Sequence, residues 1–158
     1  MNWEALGAIG EIVGAAGVIA TLVYLSVQLR QNTKALRSNA WQSIQDSEQR
    51  FDDLFSSNPQ VCEVWMKGNK GGLDALESEA ERFQFTSLAK QLIDQFQTHH
   101  YQHERGLIET ELWETWVTQF TDDVVNYQGF RQVLEQRRKH LRPSFNAFIE
   151  QYVGAKPQ

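Results

Sequence analysis

The polarity of the chain changes once, and abruptly. Residues 1–29 carry no Lys or Arg and only two acids, Glu4 and Glu11, whereas all 15 basic residues lie from Arg30 onward. From Ile12 to Leu29 the run IVGAAGVIATLVYLSVQL continues for 18 residues without a charge. As a helix it would span about 27 Å, close to the hydrocarbon thickness of a bilayer. Trp3 stands where an interfacial anchor belongs. Residues 1–29 are therefore expected to form one transmembrane helix. A buried helix of a soluble protein fits less well, because such helices rarely run so long without a polar face. A cleaved signal peptide is not expected either: the start is acidic, and the run ends in QLRQNTKALR with no small-residue cleavage site.

Past Leu29 the apolar positions recur at helical spacing and nowhere alternate like a half-buried strand. The expected fold is all-α: the transmembrane helix continues as a juxtamembrane stalk (residues 30–57) into a cytoplasmic helical bundle (residues 58–158). Trp41, Ile44, Phe51, Leu54 and Phe55 mark one face of the stalk. Pro59 opens the next helix, and KGNKGG (Lys67–Gly72) reads as a surface turn, since the G-x-x-x-x-G-K-[ST] phosphate loop is absent. Ser78 and Glu81 form a capping box for a long helix that Gly106 ends. Its inner face is Phe85, Leu88, Leu92 and Phe96, continued by His99 and His103. Further helices are expected over residues 109–126 (Leu112, Trp113, Trp116, Phe120, Val124) and 129–141. A last one begins at Pro143, with Phe145, Phe148, Ile149 and Tyr152 on one side, and Gly154 and Pro157 close the chain.

Within the apolar run, Gly7, Gly10, Gly14, Gly17, Thr21, Tyr24 and Gln28 follow one another at steps of three and four. In lipid no hydrophobic force drives helices together, so small residues that let backbones approach do this work. The stripe predicts a self-association seam and hence a homo-oligomer. Glu11 lies beside it. With the span centred near Val18, its carboxylate sits about 10 Å from the midplane, within reach of outer-leaflet water and away from the costliest depth. In a symmetric assembly it would form a ring of carboxylates, the arrangement of a cation conduit. Pairing with a partner's basic side chain is the remaining use.

Charge sets the orientation. Arg30, Lys34 and Arg37 follow the apolar run directly and nothing basic precedes it, so the positive-inside rule puts the N-terminus outside and the rest in the cytoplasm. The formal net charge of −5 argues against a nucleic-acid surface. Locally, Arg131, Arg137, Arg138, Lys139 and Arg142 gather around a single acid, Glu135. Such a patch attracts anionic lipid by about 1 kcal/mol per residue near the surface, or an acidic protein partner; a solvated helix end is the plain alternative.

Candidate chemistry is sparse. In THHYQHE, His99 and His103 are four apart on one face, a usable metal-ligand spacing. Neither H-E-x-x-H nor the Glu-x-x-His of bundle di-iron sites is present, so partly buried histidines near a helix end are the plainer expectation. The lone Cys62, beside Val61, Val64 and Trp65, reads as a packed thiol and excludes an intrachain disulfide. No nucleophile–base arrangement stands out, so no catalytic residue and no cofactor is expected.

Trp3, then Gly10-Glu11-Ile12, then Tyr24-Leu25-x-x-Gln28-Leu29-Arg30-Gln31-Asn32-Thr33 resemble an uncharacterised bacterial family of small single-pass membrane proteins. The later ERGLIETELWETW (Glu104–Trp116) is similar to it as well. The resemblance implies the bacterial inner membrane and no particular activity. Together these readings predict a membrane-anchored, self-associating helical module that binds a protein or lipid partner at the cytoplasmic face. A small cation channel with a Glu11 ring and a histidine-cluster metal-binding protein are the alternatives.

Overall fold

The computed structural model describes residues 2–121 and 126–153. It is all-α. Among the described residues there are six α-helices and no strand: α1 (Trp3–Ser57), α2 (Pro59–Gly71), α3 (Glu79–Glu104), α4 (Thr110–Gln119), α5 (Gln128–Arg137) and α6 (Pro143–Val153). The expected positions of Val124, Gly154 and Pro157 lie outside the described residues.

The helix ends follow from local chemistry. Asn58 accepts a hydrogen bond from the Gln60 N–H, and Pro59 occupies the first helical position of α2. Ser78 Oγ accepts from the Glu81 N–H (3.1 Å) while the Glu81 carboxylate accepts from the Ser78 N–H (3.3 Å), a complete capping box on α3. Gly106, at φ +67°, turns the chain after α3, and its N–H donates to the His103 carbonyl. α5 stops at Arg137, short of the expected Leu141, because Arg138–His140 tighten into a 3₁₀ turn.

The chain divides between Asn39 and Ala40 into two compact units. The first consists of residues 1–39 and is helix from Trp3 on. Its described apolar side chains lie open: Ile12, Ile19, Leu22 and Leu29 are all 58–69% exposed. This stretch of α1 is long and apolar enough to cross a membrane.

The second unit, residues 40–158, holds the core. α3 is its axis and touches α2, α4, α5 and α6. Phe85, Ile93, Phe130, Leu134, Phe145 and Ile149 are completely buried around it. Fully burying one such side chain contributes roughly 1.5–3 kcal/mol. The end of α1 joins through Ile44, which is buried, and through Phe51 and Phe55, which are half-buried; Trp41 and Leu54 of the same expected face stay about two-fifths exposed.

One expectation is overturned. Lys67–Gly71 is not a surface turn: it forms the last turns of α2, with Gly68 and Asn69 buried. A Cβ on Gly68 would stand 2.4 Å from the Phe85 ring, and one on Gly129 would stand 2.2 Å from the Gly68 carbonyl oxygen. These glycines let α2 and α5 cross backbone against backbone. Only Gly72, at φ +74°, serves as a turn glycine in this stretch.

Candidate functional site

In the first unit, Gly7, Gly10, Gly14 and Gly17 each face open space; a Cβ on any of them would meet nothing within 4 Å. The polar members of the stripe bond within their own helix. Thr21 Oγ1 donates to the Gly17 carbonyl (2.8 Å), and Gln28 Nε2 donates to Tyr24 Oη (2.6 Å). Glu11, Arg30, Lys34 and Arg37 are exposed, with no ion pair among the described residues.

In the second unit the basic cluster is largely engaged internally. Arg137 grips the Asp94 carboxylate, and Arg138 pairs with Glu135 (3.2 Å) and Glu150 (3.6 Å). The Arg142 guanidinium lies 4.2 Å from the centre of the Tyr101 ring, a cation–π contact. Arg131, in the first turn of α5, and Lys139, in the 3₁₀ turn that follows that helix, are exposed. Lys67 does not await an anion; its ammonium holds Glu77 (2.9 Å) and Glu81 (3.4 Å). The Cys62 thiol is half-buried and donates to the Phe55 carbonyl.

The two candidate metal ligands face aromatic rings. His99 stacks on Trp116 (centroids 4.7 Å apart), and His103 stacks on Trp113 (5.0 Å). No group of three His, Cys, Asp or Glu suited to a metal ion occurs among the described residues. Burial pushes the His99 imidazole down to about 4. His100 also lies below its ordinary value, chiefly through burial, with Glu104 (3.6 Å away) pulling the other way.

A cavity of about 360 Å³ lies among α1, α2, α3 and α4, with Phe120 and Tyr127 also in its wall. α1 contributes Glu48, Phe51 and Asp52; α2 contributes Trp65; α3 contributes Gln95 and His99. Trp116 and Tyr127 complete much of the wall. The geometry follows from two short contacts. Gln95 Nε2 donates to Ser47 Oγ (3.0 Å), holding α3 against α1, and Phe51 meets Trp65 edge to face at 6.2 Å. Trp41 stacks on Trp116 at 6.1 Å and brings α4 to the same end of α1.

The electrostatics of this cavity are one-sided. Glu48 and Asp52 are four apart on one helix, so their like charges are neighbours. Burial, and secondarily Asp52, raise the Glu48 carboxyl above its ordinary range. Glu48 accepts one long hydrogen bond, 3.4 Å, from Gln45, and neither carboxylate has an ion-pair partner among the described residues. No Lys or Arg is among the described residues lining the cavity. His99, 4% exposed, makes no hydrogen bond among the described residues. Sequence reasoning took the aromatic positions as core and passed over Glu48 and Asp52. The available signal was an acid pair at helical spacing bracketing Phe51, on the stretch that also carries Ile44.

Compared with protein-family models, with curated proteins and with solved structures, the chain has no significant match.

Proposed function

We propose that the chain is a single-pass membrane anchor of the bacterial inner membrane, self-associating through its glycine stripe, that holds a helical ligand- or partner-binding domain at the cytoplasmic face. The observation that carries this reading is the wholly exposed apolar helix of the first unit. Water would not tolerate Ile12, Ile19, Leu22 and Leu29 all more than half exposed along one uncharged run. A bilayer removes that cost, and a helix satisfies its own backbone there. The orientation rests on Arg30, Lys34 and Arg37 following the run. The self-association rests on Gly7, Gly10, Gly14 and Gly17 leaving a face where another backbone can approach. The resemblance of residues 3–33 to bacterial single-pass proteins agrees.

Membrane fractions washed with alkaline carbonate test the anchor, and crosslinking in the same membranes tests the seam. The wild type is expected to stay in the pellet and to crosslink to itself. Gly10→Leu and Gly14→Leu are expected to stay in the pellet and lose the crosslink. A protein washed off by carbonate would remove the anchor reading, and variants that crosslink as well as wild type would remove the seam. Cation currents across a planar bilayer that vanish in Glu11→Gln would replace this reading with a conduit.

A further inference from the structure

We infer that the cavity between α1, α2, α3 and α4 is a binding site for an organic ammonium cation, received by Glu48 and Asp52 at its acidic side and by the rings of Phe51, Trp65 and Tyr127. The inference is independent of the membrane anchor, because every lining residue belongs to the second unit.

The chemistry narrows the ligand by elimination. An anion would meet two carboxylates and, among the described lining residues, no Lys or Arg. A neutral apolar ligand would strip water from Glu48 and Asp52 and return nothing to them. A divalent metal ion asks for six or more oxygens at close range, and here half of the described lining side chains are aromatic rings and only Glu48 and Asp52 bring carboxylates. An ammonium group suits both halves of the wall. Its charge answers the carboxylates, and its alkyl shell packs against ring faces that attract cations. Trp65 packs on the core through Phe85, but it and Phe51 are half-buried and Tyr127 is 46% exposed, so each ring keeps surface for a ligand. His99, kept neutral by burial, sets no opposing charge in the cavity, and its ring carries a hydrogen-bonding nitrogen that no described residue takes. The volume lies at the small end of small-molecule sites, which run from about 300 to 1,000 Å³, and so fits a compact alkylammonium head.

Choline is the probe and 3,3-dimethylbutanol its neutral isostere. Both are titrated calorimetrically into the full chain held in phosphatidylglycerol nanodiscs. Choline is expected to bind saturably and at least tenfold more tightly than the alcohol. Glu48→Gln with Asp52→Asn is expected to lower choline affinity tenfold or more, and Tyr127→Leu, at an exposed position, to lower it severalfold. Equal binding of choline and the alcohol, an absence of saturable choline binding, or charge-neutral variants that bind like wild type would each overturn the site. Should the double variant fail to fold by circular dichroism, the isostere comparison and Tyr127→Leu decide alone. A second titration in phosphatidylcholine nanodiscs separates the sources. Loss of the choline response there assigns the site to lipid headgroups, and its persistence assigns it to a free cation; both outcomes require the ammonium chemistry.

Discussion

His99 sits at the join of two roles. It belongs to the core by burial and to the cavity by position, and its imidazole is held down to about 4. Its ordinary value is near 6.5, so between about 6.5 and 4 the unfolded chain binds a proton there that the folded chain refuses. More protons on the unfolded state means that stability rises with pH through this window. Conversely, it is lost as pH falls from about 6.5 to about 4 and changes no further below. For this group the full loss is roughly 3 kcal/mol. Denaturant melts of the detergent-solubilised chain at several pH values are expected to show that slope, and His99→Phe is expected to flatten it. Glu48, raised by burial and by Asp52, works in the opposite direction, is present in both proteins and drops out of their difference. His100, lowered mainly by burial, leaves a residual slope of the same sign as His99. A variant with the wild-type slope would mean that His99 charges freely in the folded protein. At this scale the sequence expected His99 and His103 to face inward, whereas the structure buries His99 and His100 and leaves His103 half-buried. It could not tell that His99 stacks on Trp116 and His103 on Trp113, because those rings arrive from another helix.

Helix α2 shows where local signals succeed and where they fail. Its start was legible: Asn58 and Pro59 are adjacent in the chain, and a cap needs nothing from elsewhere. The same holds for the Ser78–Glu81 box and for Gly106. Its end was not legible. Three glycines in KGNKGG resemble a turn, yet Gly68 is helical because α5 lies directly on it. A residue's role as a contact surface depends on a helix sixty residues away, and no local rule carries that information. The crossing makes a sharp prediction. Gly129→Ala would normally strengthen a helix by about 1 kcal/mol, but here the new methyl meets the Gly68 carbonyl oxygen at 2.2 Å, and backbone cannot swing aside as a side-chain tip can. The helices must part, and overpacking of this kind costs about 1–3 kcal/mol, occasionally more. The variant is expected to melt at lower denaturant than wild type, by up to about 2 kcal/mol net of the propensity gain. A melt unchanged or improved would show that α2 and α5 can separate at little cost.

At the scale of the whole chain, the two units divide the physics between them. The first has an apolar surface and no core of its own; the second has a core whose members run from Ile44 to Ile149. The contrast was visible in the charge map, since Arg30 begins the polar remainder, but the placement of the division at Asn39 and Ala40 follows from packing that only begins with the buried Ala40 and Ile44. Because the first unit lends no side chain to that cluster, residues 40–158 are expected to fold alone. Without the exposed run around Ile12 to Leu29 the fragment should leave the membrane fraction, stay soluble without detergent and unfold in one cooperative step. It should also keep the charge-dependent choline binding, since Glu48, Asp52, Trp65 and Tyr127 all lie within it. Size-exclusion chromatography and calorimetry on the fragment check both halves of this expectation. A fragment that aggregates or melts without cooperativity would mean that the exposed helix stabilises the domain as well as anchoring it, and the separation of anchor from binding domain would have to be abandoned.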